Sequence, residues 1–289
     1  MRTTAAAVLE AARPRQWVKN TFVLAGLVFS GSILSGAAEL RAWLMVIAFC
    51  AASSATYLVN DVVDADSDRL NPRTARRPIA RGDLRPSTAL VYAAGSAAIA
   101  LTVAFLLGWE AGLVIVGYFV LQVAYSLGIK RIALLDVLAI STGFVLRALG
   151  GIVAIPVALS AWLLVCTGLL ALFLALGKRR GELVNATQHH GVPRASVRGY
   201  TLALLDQLLA ITSAAIIVSY AIYAVTGSRT HYMGLTIPFV VYGICRVLQV
   251  MHLDGGLTED PSALALRDRP LQACVALWAA SATIISLIQ

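Results

Sequence analysis

Long apolar runs, separated by short polar loops, constrain this chain more than any other feature. They fall at residues 20–35, 40–63, 87–107, 111–127, 133–154, 157–176, 200–225, 233–252 and 271–288. A membrane-crossing helix needs about 20 predominantly apolar residues. The pattern therefore predicts an all-α polytopic membrane protein with about nine transmembrane helices. The runs at 20–35 and 111–127 are short, and their ends are the least defined. Neither a soluble domain nor a long linker interrupts the pattern, so one membrane domain is expected over 1–289. Residues 1–20 carry Arg2, Arg13, Arg15 and Lys19 but no short apolar core before a small-residue cleavage site. No cleavable signal peptide is expected there.

The charge balance gives the chain an orientation. Only 13% of the 289 residues are charged, and the net charge is +8. Arg and Lys cluster before the first run and in the second, fourth, sixth and eighth loops. The alternate loops carry little beyond Arg41 and Arg229. By the positive-inside rule, the N-terminus and the even-numbered loops face the cytoplasm of a cell membrane, and the C-terminus lies outside. Positive charge spread over short loops argues against a nucleic-acid partner. It fits topology plus a phosphate-rich substrate. Cys50, Cys166, Cys245 and Cys274 all sit in apolar runs without paired spacing, as buried small hydrophobes do.

The chemistry concentrates where the second run ends. Asn60, Asp61, Asp64 and Asp68 form an Asn-Asp-x-x-Asp-x-x-x-Asp string. On a continuous helix, with Asn60 at zero, they fall near about 100°, 40° and 80°, within roughly one quarter of the surface. Asp66 points elsewhere. Carboxylates that close repel one another unless a cation lies among them. Hard oxygen donors with no His or Cys nearby suit Mg²⁺, which keeps waters and substrate phosphates in its shell. In a soluble protein such a string would read as a solvated helix end. At the end of a membrane segment, ionisable groups are functional by default.

Cations crowd beside it. The following loop holds Arg69, Arg73, Arg76, Arg77 and Arg81, more than sorting requires, with Pro72 and Pro78 breaking regular structure. Arginine suits bidentate phosphate contact. The N-terminal arm reads Arg13-Pro14-Arg15-Gln16-Trp17-Val18-Lys19-Asn20; interfacial anchoring accounts for Trp17 and Arg13, less so for Lys19-Asn20. Tyr125, Lys130, Arg131 and Asp136 flank the fourth loop. Arg147 lies on nearly the same helix face as Asp136 and about 16 Å deeper. A charge at mid-membrane costs on the order of 2.5–3.5 kcal/mol, so it needs an acidic partner or an anionic ligand. Arg246 poses the same question. Lys178-Arg179-Arg180-Gly181-Glu182 opens the sixth loop, where part of the charge is read as orientation charge. His189-His190 and Asp254-Gly255-Gly256 read as solvent-facing or turn residues. Walker, dinucleotide, zinc and nucleophile-elbow patterns are all lacking.

The acidic string, the nine runs and the Tyr125…Lys130 loop resemble the UbiA superfamily of membrane prenyltransferases along the whole chain. The N-terminal arm, Tyr57-Leu58-Val59-Asn60-Asp61, Gly143-Phe144-Val145-Leu146-Arg147-Ala148, the basic run at Lys178 and the stretch Asp254-Gly255-Gly256 to Arg267-Asp268-Arg269 resemble its polyprenyl-phosphate phosphoribosyltransferase branch. That resemblance implies a UbiA-like bundle with a cytoplasmic-side active site. It also implies transfer of 5-phosphoribose from phosphoribosyl pyrophosphate to a polyprenyl (decaprenyl) phosphate for arabinan precursors. Ordinary members of the superfamily carry a second Asp-rich motif after the sixth span, where this chain has Lys178-Arg179-Arg180-Gly181-Glu182. That exchange weakens a second Mg²⁺ site and favours a bare phosphate.

The expected roles follow from the resemblance. Asn60, Asp61, Asp64 and Asp68 hold Mg²⁺, with the three aspartates as catalytic residues. Lys19, Arg73, Arg77, Tyr125, Lys130, Lys178 and Arg179 meet the donor phosphates, and Arg147 the lipid phosphate. Partners are the donor, the polyprenyl phosphate and the bilayer; a homo-oligomer is compatible with the sequence. Two other readings stay open: a conventional prenyltransferase acting on an aromatic acceptor, and a polytopic transporter.

Overall fold

The computed structural model describes residues 3–29, 35–70, 74–155, 161–188, 196–227, 231–253 and 267–287. Among them the chain is helical. In order come α1 (Thr4–Ala12), a 3₁₀ segment (Pro14–Leu24), α2 (Ala25–Phe29), α3 (Gly36–Val63) and α4 (Ala65–Leu70). Then follow α5 (Pro86–Leu107), α6 (Trp109–Leu127), α7 (Leu135–Ala154), α8 (Ala161–Gln188), α9 (Leu202–Ile222), α10 (Ile237–Leu253) and α11 (Arg269–Leu287). Seven of the described helical stretches are long and apolar enough to cross a membrane, and they match the second to eighth predicted runs. The ninth run corresponds to α11. The first differs: it begins as a 3₁₀ segment with Pro14 at its start, followed by only five α-helical residues before the described chain breaks off.

The chain divides into two compact units. The first comprises Met1–Val28, Ser32–Ser126 and Leu146–Ala158. Its centre is small-residue packing. Ala48 and Ala52 of α3 and Ala100 and Ala104 of α5 are completely buried in one cluster with Met45, Phe49 and Tyr118. Lipid tails give helices no hydrophobic reason to associate, so close backbone approach through small residues supplies the contact. The same logic holds where α7 meets the 3₁₀ segment. A Cβ on Gly151 would stand 1.8 Å from the Val23 carbonyl oxygen, and one on Gly150 would stand 2.6 Å from the Phe49 ring. Arg41 closes the far end of this unit: its Nε donates to the Ala154 carbonyl at 2.6 Å and its Nη2 to that of Leu107. A cation thereby satisfies the last carbonyls of α5 and α7, which helices otherwise leave bare.

The second unit comprises Phe29–Gly31, Leu127–Val145 and Leu159–Gln289. Phe173 and Leu176 of α8, Leu205 and Leu209 of α9 and Val247 and Met251 of α10 form its main core. A smaller cluster joins Tyr220, Tyr223, Met233 and Trp278, with the Trp278 indole donating to the Tyr220 hydroxyl at 2.9 Å. Contrary to the sequence reading, α8 does not end at Leu176. It continues through Lys178-Arg179-Arg180 to Gln188, because nothing there breaks a helix except the tolerable Gly181.

The close approach at α7 is testable. Gly151→Ala is expected to lower the melting temperature in detergent by an amount equivalent to at least about 2 kcal/mol. Gly117→Ala, where an added Cβ meets nothing within 4 Å, is expected to shift it little.

Candidate active site

The acidic string lies in the first unit, and a helix break reshapes it. The continuous helix expected from Asn60 to Asp68 ends at Val63, and Asp64 sits at the break with φ −89° and ψ 1°. Helix α4 restarts at Ala65. Asp61, in the last turn of α3, is 1% exposed, and Asp68, in α4, is also buried. Asp66 turns to solvent and pairs with Arg69 at 2.6 Å, as its position on the helical wheel predicts. Asn60 accepts a 2.5 Å hydrogen bond from the Ser126 hydroxyl through its amide oxygen.

Two guanidinium groups serve the buried carboxylates. Arg77 Nη1 lies 2.6 Å from Asp68 Oδ2 and 3.3 Å from Asp61 Oδ1, bridging the two residues across the helix break. Arg13 Nη2 lies 2.5 Å from the same Asp61 oxygen, with its guanidinium over the Tyr57 ring at 4.9 Å. Arg13 reaches there from a left-handed backbone conformation, φ 54°, that ends α1. Arg77 is presented by the turn that follows α4. Its amide donates to the Thr74 carbonyl, the Thr74 hydroxyl to the Asp68 carbonyl, and Ile79 and Leu84 anchor the turn in a core with Ala7, Ala11 and Leu58. Arg81 fastens α1 to this turn by a bidentate pair with Glu10, at 2.8 and 3.0 Å, and by Asp83 at 2.6 Å. The arginine-rich loop thus divides its labour: Arg77 serves the buried acids, while Arg69 and Arg81 hold the loop. Arg73 lies outside the described residues.

The donor set fits a hard divalent cation. Asp61 Oδ2 is buried with no hydrogen-bond partner among the described residues, an acceptor left for something other than a protein donor. The side-chain oxygens of the string itself are carboxylate or amide, as Mg²⁺ prefers. Among the described residues no three carboxylate, His or Cys side chains converge on one point. Asp61 and Asp68 are the pair brought together, and a Mg²⁺ site of one or two carboxylates completed by waters and substrate phosphates matches that arrangement.

Arg147 is the second buried charge of this unit. It is 5% exposed within α7. Its Nε donates to Asn20 Oδ1 at 2.8 Å and its Nη2 to the Tyr118 hydroxyl at 3.1 Å. The rings of Tyr118 and Phe49 stand 5.0 and 5.8 Å from its Cζ. These groups are neutral acceptors and ring faces, which solvate a guanidinium without cancelling its charge. Asn20, wholly buried, is held in turn by Cys50 and Ser53 of α3. Lys19 precedes it, half-buried, on the 3₁₀ segment, and Tyr125 is half-buried one residue before Ser126 on α6.

The remaining candidates belong to the second unit. Lys130 lies in a short 3₁₀ turn, Ile129–Arg131, and Lys178 in the basic turn of α8; both are half-buried. Arg179 departs from the expectation of an open phosphate contact. It is 2% exposed, with Nε on Asp136 at 2.7 Å and Nη1 on Glu182 at 2.6 Å. Arg180 pairs with Asp206 at 2.6 Å. Arg246 forms a two-point pair with Asp268, at 2.7 and 3.2 Å, which also accepts from the Leu271 amide. The question posed by Arg246 is answered by this salt bridge, whose guanidinium holds the Asp268 carboxyl below its ordinary range.

Sequence reasoning missed the contacts of Arg13, Ser126 and Tyr118. Arg13 read as an interfacial anchor, and so did Trp17, whose indole instead donates to Ser54 of α3 at 3.0 Å. The signal was present in the strongly polar run that enters the first apolar segment, but a sequence does not say which helix it crosses.

Two measurements follow. In a double-mutant cycle read by thermal unfolding, Arg77→Met is expected to cost about 3 kcal/mol, since it strands buried carboxylates. Adding Asp68→Asn is expected to recover about 1 kcal/mol or more of that loss, the sign of coupling between partners in contact. At the other pair, the depressed Asp268 pKa means that its stabilisation is full above the ordinary carboxylate pKa of 3.8 and lost as pH falls through the folded value. Asp268→Asn is therefore expected to flatten the acid limb of the stability–pH curve below about pH 4.

The profile of the UbiA prenyltransferase family matches residues 20–254. The chain is 33% identical to the decaprenyl-phosphate phosphoribosyltransferase of Mycobacterium tuberculosis H37Rv over 282 residues, 96% of this chain and 93% of that one. It is 34% identical to the enzyme of the same name from Mycolicibacterium smegmatis over 287 residues, 94% and 89% of the two chains. A solved structure of a UbiA homolog from Archaeoglobus fulgidus, bound to GPP and Mg²⁺, shares the fold with a TM-score of 0.75 over 98% of this chain and 100% of that one, at 16% identity.

Proposed function

The chain belongs to the UbiA prenyltransferase family, and we propose that it is a multi-pass membrane enzyme that moves 5-phosphoribose from phosphoribosyl pyrophosphate to a polyprenyl phosphate, releasing pyrophosphate. The observation that carries this reading is the division of charge between two motifs. One is acidic, at the end of α3 and in α4; the other is basic, Lys178-Arg179-Arg180 on α8, where the nearby carboxylates Asp136, Glu182 and Asp206 are already paired with arginine. A prenyl diphosphate needs metal at its one diphosphate. Phosphoribosyl pyrophosphate has a metal-binding diphosphate at one end and a bare phosphate at the other, and so uses both kinds of motif. The name shared by relatives that match nearly the whole chain supports the same choice.

Asp61 and Asp68, with Asn60 and Asp64 of the same string adjoining them in sequence, would hold the divalent cation, Mg²⁺ by their chemistry, which when bound would neutralise the diphosphate as it leaves. Asp61 Oδ2 is the buried acceptor with no hydrogen-bond partner among the described residues. Arg77, adjoining both Asp61 and Asp68, is the cation that meets the leaving group as its charge develops. Lys19, Tyr125 and Arg73 are assigned to the donor phosphates with it, and Lys130 and Lys178 to the 5-phosphate. The acceptor phosphate oxygen forms the new bond to the anomeric carbon as the bond to the pyrophosphate oxygen breaks, inverting that centre. The acceptor is already ionised near neutral pH, so no strong general base is needed. Arg147, buried in α7 with Asn20 and Tyr118 on its guanidinium, is assigned to the lipid phosphate. The isoprenoid tail stays in the bilayer, and the reacting groups face the cytoplasm.

The test is transfer itself. Purified protein given labelled phosphoribosyl pyrophosphate, polyprenyl phosphate and Mg²⁺ is expected to yield lipid-linked label, abolished by a chelator. Asp64→Asn is expected to lower turnover by about a hundredfold or more. Absence of lipid-linked label, with prenyl transfer to an aromatic acceptor in its place, would reject the proposal. An Asp64→Asn enzyme within a few-fold of wild type would reject the role of that residue.

A further inference from the structure

A buried polar network in the second unit lies outside the machinery assigned above. Asp136, on the first turn of α7, is wholly buried. Its Oδ2 accepts from Arg179 Nε at 2.7 Å, and its Oδ1 accepts from the Tyr200 hydroxyl at 3.0 Å. The Tyr200 oxygen in turn accepts from the backbone amide of Leu134 at 2.6 Å. Tyr200 is itself buried, and burial pushes its phenol up to about 12, so it stays protonated and able to donate to Asp136 while accepting from Leu134.

Leu134 is the informative member. Its φ is +67°, a left-handed conformation that a leucine adopts only when its surroundings impose it. That conformation joins the start of α7 to the turn Ile129–Arg131, which carries Lys130. Arg179, at the other end of the network, follows Lys178 on α8. The Val197–Gly199 turn presses on the same loop, because a Cβ on Gly199 would stand 2.7 Å from that of Ala133. One phenol thus ties a strained residue near Lys130 to the helical turn that bears Lys178.

We propose that Tyr200, through the Leu134 amide and the Asp136–Arg179 pair, is a positioning residue that sets the placement of Lys130 and Lys178 for an anionic phosphate of the donor. The inference rests on the assignment of those two lysines in the proposed function. It also gives Arg179 a structural reason to be buried: it holds Lys178's turn and leaves the phosphate to the lysines. Removing the phenol oxygen releases the Leu134 amide, and the strained residue relaxes toward an ordinary conformation. The lysines remain, less well placed. Donor affinity falls, while the acidic motif in the other unit is untouched.

The experiment uses the full-length protein in detergent or nanodiscs, following pyrophosphate release against phosphoribosyl pyrophosphate concentration at saturating polyprenyl phosphate. Tyr200→Phe is expected to raise the donor KM about tenfold, the equivalent of one good hydrogen bond, and to change kcat less than about threefold. Gly199→Ala, which keeps the phenol and displaces Ala133, is expected to raise the donor KM in the same way. A merely structural loss would lower the active fraction, and so the apparent kcat, with KM unchanged; that result in both variants would overturn the inference. Lys130→Ala and Lys178→Ala separate it from its premise. If they raise the donor KM and the Tyr200 and Gly199 variants do not, positioning fails and the lysine assignment stands. If the lysine variants leave KM unchanged, the assignment fails and the inference with it.

Discussion

Two buried carboxylates, Asp61 in the last turn of α3 and Asp68 in α4, need cations beside them. That constraint organises the first unit. Removing a carboxylate from water costs several kcal/mol, and two of them in proximity repel each other as well. Arg77 answers both problems by bridging them, and Arg13 adds a second positive group on Asp61. The rest of the local fold serves to bring those arginines in: a left-handed residue ending α1, a proline-punctuated turn after α4, and the Arg81–Glu10 clamp that fastens one to the other. An arrangement this dense in charge has little value as a hydrophobic anchor. It suits a ligand that brings phosphate and metal together.

The treatment of charge elsewhere follows the same physics with different solutions. Arg41 spends its donors on helix-terminal carbonyls, Arg246 on a two-point pair with Asp268, and Arg147 on an amide, a phenol and two ring faces. Asn20 and Tyr118 on Arg147 are neutral groups, whereas Arg246 meets a carboxylate. Arg179 and Asp136 form the opposite case, a sealed pair whose value lies in fixing neighbouring chain.

Much of this was legible in the sequence because hydropathy and charge are local properties. The second to eighth apolar runs became helices with ends within a few residues of those expected at most boundaries, and Asp66 faced away from the acidic string as its helical angle required. What was not legible depended on contacts across helices. The break at Asp64 has no proline or glycine to announce it, and across it Arg77 meets both Asp61 and Asp68. The first run reads as apolar enough for a helix, yet Pro14 and the Gly151 approach to Val23 set a tighter 3₁₀ path. The extension of α8 past Leu176 was hidden because a basic run looks like a loop when its carboxylate partners, Asp136 and Asp206, lie far away in the chain. Tyr200 gave no signal at all, since its role depends on a strained backbone at Leu134.

In the proposed reaction the acidic end of α3, with α4, grips the donor diphosphate through a divalent ion. A structure of the protein with phosphoribosyl pyrophosphate and Mn²⁺, phased for the anomalous signal of the metal, tests it most directly. An anomalous peak is expected within about 2.2 Å of oxygens from Asp61 or Asp68 and in contact with the diphosphate. A peak elsewhere in the molecule, or a bound diphosphate remote from both aspartates, would contradict it.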